Sequence, residues 1–180
     1  MSTPIVPSKV RTVFTGRVFT VQVESITLPK GHKLDAEIVR HPGSVVIVPV
    51  TATGEIILAR QYRHAIGRYT WELPAGSLKV GEDPRKAAAR ECQEEIGQVP
   101  GRLHLLGSFF PTPGYCDEEM HFFLAAELHA PREDDTAAAD EDEDIEPRPF
   151  TVKSIRAMIA RGEIIDLKTV SGLALATQHG

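Results

Sequence analysis

The sequence predicts a mixed α+β fold in which strands precede and surround a few helices. The first observation is the alternating, β-branched and aromatic sequence of residues 11–50, which is typical of strands. The second is the helix signal at Asp83-Pro84, an N-cap followed by proline at the first helical position, with Gly97 as a stop. The third is the length, because 180 residues suit one domain with a sizeable core.

Individual strands follow from this alternation and from the turn residues between them. The apolar positions that carry the pattern are Val13, Phe14, Val18, Phe19, Val21, Val23, Ile38, Val39, Val45, Val46, Ile47 and Val48. His41-Pro42-Gly43 marks a turn, and residues 51–54 form a hairpin loop that leads to a strand at 56–58. Two later strands are predicted at 103–109 and 120–126.

Three helices complete the predicted elements. The first spans residues 84–96, between the proline start and the glycine stop. The second covers about 152–161 and ends at Gly162, and the third follows Asp166.

Composition along the chain suggests the domain boundaries. Residues 132–146 are rich in acids and poor in side chains that could pack, which indicates a mobile surface loop. We expect a short tail at 1–10 and a single catalytic domain at 11–180, whose first part, about 11–40, is rich in strands.

Charge and apolar content argue against several classes of protein. A net charge of −5 provides no basic field for a nucleic-acid partner. The apolar runs, such as residues 44–50, are far shorter than the roughly 20 residues of a membrane helix. The N-terminus lacks an apolar secretion signal, so we expect a cytoplasmic protein. Two cysteines, Cys92 and Cys116, are too few for a disulfide framework and are expected to be free thiols.

A set of acids around the first helix carries the chemistry. Glu91, Glu94 and Glu95 stand at helical spacing i, i+3 and i+4, so they share one face. Such a face suits a hard cation, Mg²⁺ or Mn²⁺, and Glu82 can turn toward it from the preceding loop. The alternative is a solvated acidic face. The glycine loop, the helix cap, the adjacent Arg90 and the glycine stop, all in register, favour the metal site.

Residues 76–98 resemble the Nudix box at every polar and glycine position. The segment departs from the box only at Cys92 and Gln98, which occupy positions where aliphatic residues are usual. The resemblance implies the Nudix fold, a mixed β-sheet sandwiched between helices. It also implies functional roles for residues of the box: metal ligation by Glu91 and Glu95, assistance by Glu94 and Glu82, coordination by the Ala75 carbonyl, and orientation of a carboxylate by Arg90.

Three segments outside the box resemble the ADP-ribose pyrophosphatase branch of the Nudix superfamily. They are residues 60–63, residues 71–76 and residues 111–118, which include a proline about fifteen residues beyond the box. The resemblance implies a substrate-binding set that consists of Arg60, Arg63, Glu72, Pro113 and Gly114. The alternative assigns the arginines to strand ends, the Pro-Gly pair to a plain turn and Trp71 to the core.

The branch also supplies a glutamate from a loop before the second helix as a base or water-positioning group. Glu143 fits this position best by resemblance, and Glu141 is the second choice. Because acids are so dense here, the alternative that they only solvate the loop stays open.

The leading functional hypothesis is the metal-dependent hydrolysis of ADP-ribose to AMP and ribose 5-phosphate. A second is hydrolysis of another nucleoside diphosphate sugar, such as GDP-mannose or UDP-glucose. A third, from a different class, is a sensor that binds a nucleotide without turnover. The branch resemblance further implies a homodimer that exchanges its N-terminal strands.

Overall fold

The computed structural model describes residues 4–132 and 145–177. The chain divides into two compact units. The first holds described residues 4–43 and 109–120, and the second holds the rest. Within these described residues, strands precede and surround three α-helices, which confirms the mixed α+β class. The described part has no helix that is long and apolar enough to cross a membrane.

The first unit contains an antiparallel sheet of the three N-terminal strands. They are β1 (Lys9–Thr15), β2 (Thr20–Thr27) and β3 (Lys33–Arg40), in that order. Every residue of β1 is exposed, whereas Glu24 of β2 is buried. The predicted strand character of this region is confirmed.

The remaining strands form two sheets. Their bounds are β4 (Ser44–Pro49), β5 (Ile56–Arg63), β6 (Arg68–Glu72), β7 (Ala75–Ser77), β8 (Val99–Phe109), β9 (Met120–His129) and β10 (Glu146–Phe150). One sheet has the order β7-β4-β9-β8 and the other has the order β10-β5-β6. The short turn His64–Ile66 connects β5 to β6.

The helices are α1 (Pro84–Ile96), α2 (Val152–Ala160) and α3 (Leu167–Ala176). The predicted bounds of α1 are confirmed at both ends. α2 ends one residue before its predicted end because Arg161 is its C-cap, and Gly162 follows with a φ of 72°. Asp166 caps α3 as predicted, since its side chain accepts a hydrogen bond from the backbone of Thr169.

The core of the second unit is built around β4, all six residues of which are buried. Val45 and Ile47 belong to a cluster with Ala88 and Cys92 of α1. Since side chains alternate along a strand, Val46 and Val48 face the other side of the sheet. α1 and α3 both contact β4. This strand therefore has helices on both faces, which explains why it is a continuous apolar run.

Several strands differ from their predicted extents. β5, β8 and β9 are longer than expected, and β6, β7 and β10 were not predicted. Glu146 was assigned to the acidic loop, but it is the first residue of β10 and pairs with Arg60. The prediction is wrong because it followed the acid content of the segment, and β10 also contains two prolines, which usually argue against a strand. β10 tolerates them because it lies at the edge of its sheet.

Candidate active site

α1 places the box glutamates because its start and end are fixed locally. The Asp83 side chain accepts hydrogen bonds from the backbone N–H groups of Arg85 and Lys86 at 2.9 and 3.1 Å. Gly97 ends the helix with a φ of 65°, in the left-handed region that favours glycine. These two signals set the helical register of the residues between them.

Arg90 binds three of the box carboxylates at once. Its Nε and Nη2 donate to the two oxygens of Glu82 at 3.0 and 3.1 Å. Its Nη1 donates to Glu91 at 2.6 Å and to Glu94 at 2.7 Å. One guanidinium thus connects the loop before α1 to the acidic face of the helix.

Gly76 of β7 makes room for the carboxylate of Glu91, which is only 8% exposed. A Cβ atom added at Gly76 would lie 2.0 Å from Cδ and Oε1 of Glu91. No side chain fits that space, so the first glycine of the box is required for the position of a buried carboxylate. Glycine is needed here because the backbone of β7 and the carboxylate of Glu91 approach each other closely, not because Gly76 has a positive φ.

The remaining glutamate of the acidic face contacts the same short strand. The backbone N–H of Ala75 donates to Oε1 of Glu95 at 3.2 Å. β7 therefore lies beside both Glu91 and Glu95, while Arg90 connects Glu82, Glu91 and Glu94. The structure brings together all the box residues that the sequence selected.

These contacts shift the pKa values of several groups. The hydrogen bond from Arg90 lowers the pKa of Glu82, and the bond from the Lys79 backbone acts in the same direction. The hydrogen bond to Glu82 raises the pKa of Arg90 most, and the charge of Glu91 and the hydrogen bonds to Glu91 and Glu94 act in the same direction. Burial raises the pKa of the Cys92 thiol to about 12, and the charge of Glu95 adds to this effect. The box carboxylates thus lie beside a guanidinium that stays positively charged, and Cys92 behaves as an apolar core residue.

The donor set matches a hard divalent cation in its chemistry. It offers four carboxylates, three of which are bridged by the single guanidinium of Arg90, together with the backbone of Ala75. Among residues 4–132 and 145–177, no group of three or more His, Cys, Asp or Glu side chains is already arranged to bind an ion. Because Arg90 lies among these carboxylates, their predicted roles as metal ligands stay predictions.

A second charged network lies at the ends of β5 and β6. Glu72 is 4% exposed and accepts hydrogen bonds from Nε and Nη2 of Arg63 at 2.9 and 2.8 Å. Lys168 also binds Glu72, and its Nζ lies 2.9 Å from Oδ1 of Asp166. Burial raises the pKa of Glu72, but the hydrogen bonds and charges of Arg63 and Lys168 outweigh it and lower the pKa.

Sequence reasoning missed Lys168. Its contact with Glu72 joins residues 96 positions apart, so no local pattern reports it. One signal was available, because a cation in the first turn of α3 opposes the helix dipole and therefore indicates a carboxylate partner.

The other predicted binding residues of this unit also have partners. The guanidinium of Arg60 lies 4.1 Å from the ring centre of Tyr69, with Glu146 at 4.0 Å. Trp71 packs edge-on against Phe150 at 4.8 Å, in keeping with a structural role. Both arginines thus have partners within the protein, so only the expectation that they lack a partner is wrong. Their structural and substrate-binding roles both stay predictions.

Pro113 and Gly114 belong to the first unit, where they form the expected turn. The backbone N–H groups of Tyr115 and Cys116 donate to the carbonyl of Thr112 at 3.2 and 3.0 Å. After this turn, Asp117 accepts a hydrogen bond from Arg40 at 2.8 Å. Their predicted role in substrate binding stays a prediction.

The two predicted loop acids, Glu141 and Glu143, lie outside the described residues. The same holds for most of the predicted acidic loop.

Comparisons with known proteins agree with this geometry. The NUDIX domain family matches residues 40–170. The chain is 38% identical over 157 residues to an ADP-ribose pyrophosphatase of Bacillus subtilis (strain 168), a match that covers 87% of this chain and 84% of the relative. It is also 38% identical over 162 residues to a methanol dehydrogenase activator of Bacillus methanolicus, with 90% and 86% covered.

A solved structure extends the agreement to the fold. The crystal structure of an ADP compounds hydrolase matches with a TM-score of 0.82 and covers 98% of this chain and 94% of its own. At 23% identity, this likeness shows the fold alone. Together with the family match over most of the chain, it confirms the resemblance carried by the box. The chain belongs to the Nudix hydrolase family.

Proposed function

We propose that this protein hydrolyses the pyrophosphate bond of ADP-ribose to give AMP and ribose 5-phosphate. The observation that carries the reaction class is the constellation of four box carboxylates around Arg90 and β7. The ADP-ribose pyrophosphatase relative supports the substrate. The relative from Bacillus methanolicus, which has the same identity to this chain, is named a methanol dehydrogenase activator, so the substrate is to be measured directly.

The box residues are proposed to hold a divalent metal, Mg²⁺ or Mn²⁺. Glu91 and Glu95 are the principal ligands, with Glu94, Glu82 and the Ala75 carbonyl as further donors. When bound, such a cation neutralises the diphosphate and lowers the pKa of a coordinated water. Arg90 is proposed to orient these carboxylates through its hydrogen bonds to them, since a guanidinium can satisfy several acceptors in a fixed plane.

The remaining chemistry requires a group that accepts a proton from the attacking water. Glu143 is the proposed base, with Glu141 as the alternative. A phosphorus centre attacked by water needs no covalent enzyme intermediate, so no nucleophilic side chain is proposed.

Arg63 is the proposed diphosphate ligand of the second unit. Its side chain is 41% exposed although Glu72 binds it through two hydrogen bonds. This contact presents the guanidinium in a fixed orientation, and the exposed part can donate to phosphate oxygens. Arg60 is proposed as a second contributor, Glu72 as a ribose contact, and Pro113 and Gly114 as part of the ribose subsite.

Hydrolysis of a panel of substrates tests the proposal. ADP-ribose, GDP-mannose, UDP-glucose, NADH and diadenosine polyphosphates are compared with Mg²⁺, with Mn²⁺ and with EDTA. We expect AMP and ribose 5-phosphate to form fastest, only with metal, and to be lost in Glu95→Gln. Glu163→Gln is the matched control, because it makes the same change in an exposed ion pair with Arg161.

Each outcome of this panel has a distinct meaning. Faster cleavage of GDP-mannose or UDP-glucose contradicts the substrate assignment and keeps the reaction class. Binding of ADP-ribose without turnover contradicts the enzyme and supports a sensor.

The protein is further proposed to be a cytoplasmic homodimer that exchanges strands of residues 11–40. The support is the exposed apolar surface of β1, the strand that leads into this region, which includes Val10 at 51% and Phe14 at 52% exposure. Light scattering should give the mass of a dimer, and Val10→Glu should shift it toward the monomer. Arg11→Glu, its neighbour in β1, is the control for added charge, and a monomeric mass in the wild type contradicts the proposal.

A further inference from the structure

The first turn of α3 contacts the chain segment that leads into the Nudix box. The backbone N–H of Leu73 donates to Oγ1 of Thr169 at 2.8 Å, although the two residues are 96 positions apart. Thr169 is 1% exposed. A buried side chain of α3 therefore satisfies a backbone group that the strands leave unpaired.

Asp166 fixes the position of the Thr169 hydroxyl. That hydroxyl donates to Oδ2 of Asp166 at 2.6 Å, and the same carboxylate oxygen accepts from the Thr169 backbone at 2.9 Å. Since Asp166 is the N-cap of α3, the hydroxyl is held by the helix start itself. We call Asp166, Thr169 and Leu73 the α3 clamp.

The same segment is held from two further directions. The carbonyl of Pro74 accepts a hydrogen bond from the Ile47 backbone at 2.9 Å. Gly172 packs so closely on Leu73 that an added Cβ would lie 2.4 Å from its Cδ1. The segment from Leu73 to Pro74 is thus fixed by a hydrogen bond at each residue and by close packing.

Two residues, Pro74 and Ala75, separate the clamp from the box. Pro74 has a fixed φ and restricts Leu73 to extended conformations, so a shift at Leu73 is passed on to Ala75. Ala75 donates its N–H to Glu95, and the next residue, Gly76, lies against the carboxylate of Glu91. The two residues proposed as principal metal ligands are therefore the next contacts along the chain.

We propose that Thr169 is a positioning residue for the divalent-metal site of the box, acting through Leu73, Pro74 and Ala75. The inference rests on the proposed function, which assigns the metal to Glu91 and Glu95. Thr169 is not among the residues proposed to bind the metal or the substrate, and its hydroxyl contacts Leu73 and Asp166. Its hydroxyl sets where β7 presents its backbone to the two glutamates.

Direct metal binding tests the clamp without substrate. Free Mn²⁺ is titrated with protein and followed by electron paramagnetic resonance, and urea unfolding is recorded for each variant. Thr169→Val keeps the shape of the side chain and removes both hydroxyl contacts. We expect its affinity for Mn²⁺ to fall about tenfold, the low end for changes to groups that support metal ligands.

Two controls separate positioning from general damage. Thr169→Ser keeps the hydroxyl and should stay within about twofold of the wild type, a small shift beside the tenfold effect expected for outer-shell changes. Thr70→Val makes the same substitution at a threonine that is 2% exposed and whose hydroxyl has only a 3.4 Å contact with the Trp71 carbonyl. It should alter stability without altering Mn²⁺ affinity.

The outcomes are decisive in each direction. Thr169→Val with wild-type affinity, or Thr169→Ser as weak as Thr169→Val, overturns the clamp. If Thr169→Val does not fold, Asp166→Asn replaces it, because asparagine still caps a helix while losing the charge that holds the hydroxyl. Unchanged Mn²⁺ affinity in that variant also overturns the clamp.

The proposed function can fail independently. Wild-type protein that binds Mn²⁺ but does not cleave ADP-ribose contradicts the proposed substrate and leaves the clamp intact. Wild-type protein that binds no Mn²⁺ contradicts the metal assignment and the clamp together.

Discussion

Strands β4 and β1 both carry apolar side chains, but in opposite surroundings. All six residues of β4 are buried, with helices α1 and α3 in contact with it. All seven residues of β1 are exposed at the edge of a three-stranded sheet. In β4, apolar side chains build the core that supports the box. In β1, they remain on a surface that the proposed second copy of the chain would cover.

The largest effect is expected in the buried charged network next to the core. Glu72→Gln removes a carboxylate that binds Arg63 and Lys168, and breaking such a buried pair should cost about 3 kcal/mol of stability at neutral pH. Urea unfolding measures this. An exposed pair gives the contrast, since Glu163→Gln should have almost no effect.

The same variant predicts a pH dependence with a defined sign. Folding lowers the pKa of Glu72, so the ion pairs of its carboxylate contribute fully to stability above the unfolded pKa of about 4. This contribution is lost as the pH falls through the folded pKa. The stability difference between wild type and Glu72→Gln should therefore shrink below about pH 4. A difference that stays constant down to about pH 2 would contradict the assigned ion pairs.

Gly76→Ala should reduce the hydrolysis rate by about 100-fold, since a misplacement of about 1 Å in a catalytic site costs this much. The added Cβ would overlap the carboxylate of Glu91, which must move. Ser77→Ala is the control, because Ser77 is the next residue of β7 and adjacent side chains of a strand point to opposite faces. A Gly76→Ala enzyme with wild-type turnover would show that Glu91 tolerates displacement.

A matched pair of substitutions tests the comparison of the two strands directly. Val45→Ala in β4 should lower the free energy of unfolding by about 2 kcal/mol, because it leaves a cavity in the core. Val13→Ala in β1 should cost only about 0.5 kcal/mol, since this side chain is already 46% exposed. Equal costs would show that β1 is as well covered as β4.

The smallest effect concerns the two thiols. Cys92 is fully buried and its pKa is raised to about 12, so it should stay protonated and unreactive at neutral pH. Cys116 is partly exposed. A disulfide reagent should label Cys116 first and Cys92 only after unfolding, which mass spectrometry of the labelled peptides can follow. Rapid labelling of Cys92 in the folded protein would contradict its burial.

The sequence was most informative where the determinants are local. Asp83, Pro84 and Gly97 fix α1 within a few residues of themselves, so its bounds and the shared face of the glutamates were predictable. The close approach of Gly76 to Glu91 could be inferred only as a glycine requirement, because the distance depends on packing between β7 and α1.

Long-range contacts account for what was missed. Thr169 and Lys168 contact Leu73 and Glu72 across 96 positions, and no local sequence pattern identifies these partners. The prolines of β10 argued against a strand in the sequence. An edge strand accepts proline at positions whose backbone nitrogen faces away from the neighbouring strand, where no N–H donor is needed.

The central claim is that the box and its supporting core form a metal-dependent pyrophosphatase. Phosphorus NMR of ADP-ribose incubated with the protein and Mg²⁺ tests it most directly, because the diphosphate and its monoester products give separate resonances. We predict that the diphosphate signals disappear while those of AMP and ribose 5-phosphate grow, and that Glu95→Gln stops this change. Diphosphate signals that persist with folded wild-type protein and saturating Mg²⁺ or Mn²⁺ would contradict the account.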